Sequence, residues 1–255
     1  MLACMGSTPI KNTETPSPTV LYEDNHLLVI NKPAGLATMG TEPQIPTAAR
    51  WAADYLKRKY HKPGNVFVGI VSRVDRLASG VLPLARTSKC ASRLSEQIRN
   101  REPSKRYLAY VDGKIASASD SKWTTLRHHV RKNESRQRME VVQPSTRDAQ
   151  LAELHYRCLA RSPNGSLIEV DLITGRKHQI RLQFSELGHP IVGDAKYGSQ
   201  RKFGPGIALH CWELRIAHPT RGETLTFSAK PQGPWQQLPR AVHEALPRSP
   251  TGDGS

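Results

Sequence analysis

The sequence has no C-x-x-C pair and no phosphate-binding glycine loop of the G-x-x-x-x-G-K-[ST] or G-x-G-x-x-G kind. Its longest apolar runs fall far short of the roughly 20 residues that a membrane-spanning helix needs. Each absence removes a class. Cys4, Cys90, Cys158 and Cys211 are scattered, which excludes a secreted disulfide framework and zinc-ligand spacing. They read as buried thiols plus one free cysteine in the N-terminal tail, and no metal or cofactor is expected. The opening M-L-A-C-M-G-S-T-P-I has neither a basic n-region nor a long apolar core, so a signal peptide is not expected. Internal repeats are missing too. Acid is in short supply, with 22 Asp+Glu against 37 Lys+Arg and a net charge of +15. That imbalance favours an anionic partner, nucleic acid before an acidic membrane surface. The expectation is a soluble, cytoplasmic monomer.

What is present is enough for one large domain, at 255 residues and 37% hydrophobic content. Residues 1–17 are polar and Pro-rich and are expected to be disordered. Val20–Tyr22 and Leu27–Asn31 read as strands around an Asp24-Asn25 turn, stopped by Lys32-Pro33-Ala34-Gly35. A helix is expected from Thr47, as cap, to Tyr60, and a second from Ser88, as cap, to Arg99. Between them, Val66–Val71 and Val81–Ala85 read as strands joined through a polar centre with Arg73, Asp75, Arg76, Ser79 and Gly80. An aspartate beside a glycine serves turns more often than chemistry, so Asp75 is open on these grounds alone.

Beyond residue 103 the pattern is mostly strand. In S-K-R-Y-L-A-Y-V-D-G (104–113), alternation puts Arg106, Leu108 and Tyr110 on one face, with Lys105, Tyr107, Ala109 and Val111 on the other. Residues 114–150 read as two exposed strands with a basic connection from Arg127 to Arg138, the surface best suited to choosing a nucleic acid. Leu151–Ala160 and Ser166–Ile173 flank an Asn164-Gly165 hairpin signal. A helix is expected from about Arg176 to Gly188, which would place His178 and Arg181 on one face. Strands at 208–216 and 225–229 close the ordered chain.

Four blocks in this order resemble the RluA-type pseudouridine synthases. S-R-V-D-R-L-A-S-G is similar to H-R-L-D-x-x-T-S-G, and S-K-R-Y-L-A-Y-V-D-G to K-x-Y-x-A-x-V-x-G. G-R-K-H-Q-I-R with G-H-P-I-V-G-D-A-K-Y-G is similar to G-R-x-H-Q-I-R followed by G-H-P-I-x-G-D-x-x-Y-G. Before them stands an N-K-P-x-G, and after them an L-H-C-W-E-L that resembles L-H-A-x-x-L. Three positions depart from the pattern: Ser72 stands for His, Ala78 for Thr, and Gln183 for the His after H-Q-I-R.

The resemblance implies an α+β, pseudouridine-synthase-like fold: a largely antiparallel mixed sheet, flanking helices and a central active-site cleft. The catalytic domain would span 18–232, followed by a C-terminal helix and flexible tail over 233–255. The S4-like RNA-binding module that many relatives carry does not fit in the short leader. Asp75 is implied as the catalytic aspartate, Tyr107 as the ring that stacks on the target base, and Arg181 as the partner of the aspartate. Arg73, Arg76, Lys105, Arg176 and His178 are implied as RNA contacts. Lys32 is implied as either a phosphate contact or a strand-end contact. The expected activity is isomerisation of specific uridines in structured RNA, tRNA or rRNA, without cofactor or metal. The rival is a non-catalytic RNA-binding protein derived from such an enzyme.

Overall fold

Eleven strands pair into one sheet in the computed structural model, which describes residues 17–40, 42, 44–115 and 122–247. The expectations for residues 1–16 and for the end of the tail lie outside the described residues. In chain order the elements are β1 (Thr19–Glu23), β2 (Leu27–Lys32), α1 (Ala48–Lys59), β3 (Gly69–Ile70), β4 (Ser79–Ala85) and α2 (Ser88–Arg99). Then come β5 (Ser104–Asp112), β6 (Thr124–Asn133), β7 (Arg138–Val142), β8 (Gln150–Ser162) and β9 (Gly165–Leu172). The last are α3 (Gln179–Glu186), β10 (Leu209–Ala217), β11 (Thr224–Ser228) and α4 (Arg240–Glu244).

The sheet order is β1-β2-β4-β10-β5-β9-β8-β6-β7, with β11 added to β10 and β3 to β4. Every pairing is antiparallel except that of β4 with β10, so the sheet is mixed and largely antiparallel. Central strands β4, β5 and β9 are buried along most of their length, while β8 alternates buried and half-buried residues. Covered on both faces, a strand can be apolar throughout; half-covered, it must alternate.

Two local features fix the middle of this sheet. Gly80 has φ +117°, and a Cβ there would lie 2.2 Å from the Cys211 carbonyl oxygen. Glycine therefore lets β4 lie against β10, which it does only at Ser79 and Gly80. Past that point Pro83 pairs with Val29 of β2, and no β10 residue faces it, the edge-like place that a mid-strand proline needs.

Helix ends follow their caps. Thr47 Oγ1 accepts from the Arg50 N–H, as its sequence suggested. At α2 the cap is Thr87, whose Oγ1 accepts from the Cys90 N–H, and not Ser88. Gly188 (φ +77°) closes α3 in a Schellman arrangement, with Gly188 N–H on the Ser185 carbonyl and His189 N–H on that of Phe184. The start of α3 is later than its sequence suggested. The Gln179 side-chain oxygen takes the Arg176 N–H and the Thr174 hydroxyl, holding 174–178 as a loop. His178 then adopts φ +52° ahead of the helix.

Three other expectations shift. The strand expected over Val66–Val71 shortens to Gly69–Ile70. The basic connection is only Glu134–Gln137, because β6 continues to Asn133, whose Oδ1 takes the Arg136 N–H. The β8–β9 turn is Pro163-Asn164, since Gly165 already belongs to β9, pressed against the Tyr110 ring. Cys90, Cys158 and Cys211 are buried.

Candidate active site

Asp75 sits in the loop between β3 and β4, and the loop is clamped from three sides. Thr38 Oγ1 donates to the Val74 carbonyl at 2.7 Å and accepts from the Val74 N–H at 3.3 Å. Gly35 N–H reaches the Arg76 carbonyl, and Ile207 N–H that of Leu77. Gly206 makes the last approach feasible, for a Cβ on it would fall 2.3 Å from the Leu77 oxygen. The Asp75 side chain divides its work. Oδ1 accepts from the Leu77 N–H at 2.9 Å, a turn-forming contact. Oδ2 faces the cleft and lies 2.7 Å from an Arg181 Nη.

Arg181 reaches it from the first turns of α3, where Gln179–Phe184 are all buried. Its Nε and second Nη fork onto both oxygens of Asp194, at 2.6 and 2.8 Å. Arg181 is 3% exposed and Asp194 is fully buried. One carboxylate thus fixes the plane of the guanidinium, and the remaining nitrogen is aimed at Asp75. Burial pushes the Asp75 pKa up, but the Arg181 charge, the Leu77 N–H and His178 outweigh it, and the carboxyl titrates below its usual range. It is a carboxylate at neutral pH.

His178 lies beside this pair, with Nε2 3.3 Å from Asp75 Oδ2. Its Nδ1 is 3.0 Å from the Tyr197 hydroxyl, which itself accepts from the Met139 N–H. That hydroxyl has its own proton left to give to Nδ1, so the neutral ring turns an N–H toward Asp75. Burial first, and the Arg181 charge second, lower the His178 pKa to about 4. The Arg181 guanidinium also lies over the Tyr197 ring, 5.0 Å from its centroid.

These groups open into a cleft of about 670 Å³, lined by the Asp75 loop, by Lys105 and Tyr107 of β5, by Leu209, and by the 175–181 segment. Tyr107 is 7% exposed and sits in the cleft wall, its hydroxyl held protonated by burial and by the neighbouring Cys211. Arg73, Arg76 and Lys177 are exposed on the lining. Among the described residues none of the three has an acidic side chain within ion-pair distance. Arg176 also lines the cleft, with its Nε donating to the Leu151 carbonyl at 3.0 Å.

Lys32 requires a correction. It is 0% exposed, and its ammonium donates to the carbonyls of Pro33, Leu36 and Ala78 at 2.7–2.8 Å. All three donors are used and no face is left for a phosphate, so of the two roles only the strand-end contact fits. Burial lowers its pKa to about 7, while the Asp75 charge works the other way.

The three departures scatter. Ser72 is in the cleft wall, where its Oγ accepts from Lys105 at 2.5 Å. Ala78 is buried and offers its carbonyl to Lys32. Gln183 is on the far side of α3, its amide on the Leu126 and Ala152 carbonyls. Sequence reasoning gave no role to Asp194, Tyr197, Gln179 or Thr38. The first two stand in G-D-A-K-Y-G and Gln179 in H-Q-I-R, so the motifs carried a signal; Thr38 had none.

A buried guanidinium is thus shared between a sealed carboxylate and an open one, at the floor of a basic cleft across a mixed sheet. Residues 26–186 match the RNA pseudouridylate synthase family. The chain is 35% identical over 222 residues to the dual-specificity RNA pseudouridine synthase RluA of Haemophilus influenzae, covering 83% of this chain and 92% of that one. It is 32% identical to the ribosomal large subunit pseudouridine synthase D of Nitrosomonas europaea, over 90% of this chain and 66% of the relative. In fold it is similar to human RNA pseudouridylate synthase domain containing 4, with a TM-score of 0.65 at 24% identity, over 89% of this chain and 91% of that chain. A second human protein, RNA pseudouridylate synthase domain containing 1, gives 0.67 at 23% identity over 84% of each. The chain belongs to the RNA pseudouridylate synthase family, in its RluA-type branch. It is an isomerase that acts on RNA.

Proposed function

We propose that this chain converts a uridine in a folded tRNA or ribosomal RNA to pseudouridine with Asp75 as its catalytic carboxylate. The observation that carries the reading is the Asp194–Arg181–Asp75 chain, which leaves one ionised carboxylate oxygen facing the cleft. The reaction breaks the N1–C1′ bond, rotates the uracil and joins C5 to C1′, with the C5 proton lost and N1 protonated. An ionised aspartate serves either as the nucleophile at C1′ or as the base at C2′. Arg181 is a positioning residue that keeps Asp75 ionised and aimed. A target base in folded RNA must leave its stack, at about a few kcal/mol. Tyr107 receives it in the cleft wall, where base–aromatic stacking is worth about 1–3 kcal/mol. Arg73, exposed on the cleft lining, fills the gap left by the base or holds the RNA backbone, and Arg76, Lys105, Arg176 and His178 face the same RNA. Residues 18–232 form the catalytic domain, and the protein works as a cytoplasmic monomer. Among the described residues no helix is long and apolar enough to cross a membrane.

Asp75→Asn tests the reading. Asparagine keeps the turn contact to Leu77 but removes the negative charge and the nucleophilic oxygen. The variant is expected to fold and to bind RNA within about a few-fold of wild type, and to form no pseudouridine, because the loss falls on the chemical step. Tritium release from RNA carrying 5-tritiated uridine, with enzyme in excess, measures this. Turnover by Asp75→Asn would overturn the assignment. Binding without turnover by wild type on any cellular RNA would favour the non-catalytic reading.

A further inference from the structure

Lys105 is a cation in the cleft without a counter-charge. The residue is half-buried and lines the cleft together with Val71, Ser72 and Ile98, as well as a smaller pocket with Leu94, Pro103 and Leu214. Among the described residues its one hydrogen-bond partner is Ser72 Oγ at 2.5 Å, and no carboxylate comes within ion-pair distance. An ammonium has three donors, so two remain after Ser72. A buried cation served only by a neutral hydroxyl is costly in an apolar wall, and an anion that enters the cleft relieves that cost.

The geometry points to Lys105 as the seat for one RNA phosphate inside the cleft, with Ser72 as the residue that positions the ammonium to receive it. This rests on the reading of the cleft as the site that admits the target uridine. A phosphate fits better than a base carbonyl because a full negative charge is what the isolated ammonium lacks. The flipped nucleotide brings such phosphates with it, since its backbone must follow the base into the cleft. Ser72 occupies the position of a histidine in the resembling pattern. Serine supplies one acceptor there. Burial already lowers the Lys105 pKa, and the Ser72 oxygen, by accepting from the charged form, opposes that drift.

The test uses full-length protein with an unmodified tRNA transcript and an unmodified fragment of large-subunit ribosomal RNA, taking forward the RNA that the wild type isomerises. Lys105→Gln keeps a donor to Ser72 without the charge. It is expected to bind about ten-fold more weakly, the scale of one charge-assisted hydrogen bond. The slope of log affinity against log salt is expected to fall by about 0.7–0.9, one phosphate's worth. Ser72→Ala keeps the charge and hence the slope, but binding is lost at a lower pH on the alkaline side; Ser72→Thr, which keeps the hydroxyl, restores the wild-type limb. A merely structural lysine would change melting temperature and leave the slope alone. An unchanged slope in folded Lys105→Gln overturns the phosphate seat, and an unmoved alkaline limb in Ser72→Ala overturns the role of Ser72. If the wild type isomerises neither RNA, the functional reading fails and this one falls with it, a result distinct from an active enzyme with an indifferent Lys105.

Discussion

Two parts of this molecule are rich in arginine and lysine, and they use their charge differently. Along the β6–β7 hairpin three of the five Arg and Lys answer glutamates of the same hairpin or the next strand: Arg127 to Glu153, Arg131 to Glu140 and Lys132 to Glu134, at 2.6–2.8 Å. Around the cleft, Arg73, Arg76, Lys105 and Lys177 have no such partner among the described residues. Net charge of +15 and a run of arginines made the hairpin look like the RNA surface. The pairing shows that composition counts charges without saying which are already neutralised. A potential that draws in RNA comes from uncompensated charge, and four such cations converge on the cleft.

The largest effect that separates the two regions is on stability. The Asp194–Arg181 fork is sealed, so Asp194→Ala leaves a buried guanidinium with one of its three carboxylate hydrogen bonds. Removing one partner of a buried pair costs about 3–5 kcal/mol, and a urea melt should record it as a lower midpoint at unchanged slope. Glu140→Ala in the hairpin exposes Arg131 to water, and its midpoint should not move measurably. Equal losses would erase the distinction between the regions.

Acid separates them next. His178 is held neutral, with its pKa lowered to about 4 against about 6.5 in an unfolded chain. Between those values the unfolded state binds the proton and the folded state does not, so stability falls as pH drops from about 6.5 toward 4. His210 adds in the same sense, lowered to about 4 by burial. Asp75, with its depressed pKa, loses its contribution at lower pH still, as it becomes protonated. His178→Gln should flatten part of the fall in melting temperature between pH 6.5 and 4; an unchanged profile would show that His178 is protonated in the folded protein.

Much of this was legible in the sequence because it was local. The Thr47 cap, the Gly188 stop and the strand at 104–113 each follow from a few adjacent residues. Order along the chain then placed Asp75 and Arg181 in matching blocks, although 106 residues separate them. What escaped depends on contacts across the fold. Nothing near Lys32 says that its ammonium will be enclosed by three carbonyls, one of them 46 residues away. Gln179 delays the start of α3 through its side chain, which helical periodicity does not register. Asp194 was inside a motif, but its task is visible only when the guanidinium is seen between two carboxylates.

The smallest effect sharpens the comparison most, because it is read within one assay. Each cation that neutralises a phosphate should remove about 0.7–0.9 from the slope of log affinity against log salt when it is replaced by methionine. Arg73→Met, Arg76→Met and Lys177→Met should each do so, since their side chains are exposed and form no ion pair among the described residues. Arg131→Met should change the slope by much less. Its guanidinium already holds Glu140 at 2.8 Å, so RNA would have to break that pair, and losing the arginine frees a glutamate that repels the backbone. Affinity then falls a little through repulsion while the count of released ions stays the same. The double variant Arg131→Met, Glu140→Gln separates the two, because removing the glutamate should return affinity to the wild-type value. A full unit lost in Arg131→Met, not recovered in the double variant, would put the hairpin on the RNA and reverse the assignment of the two regions.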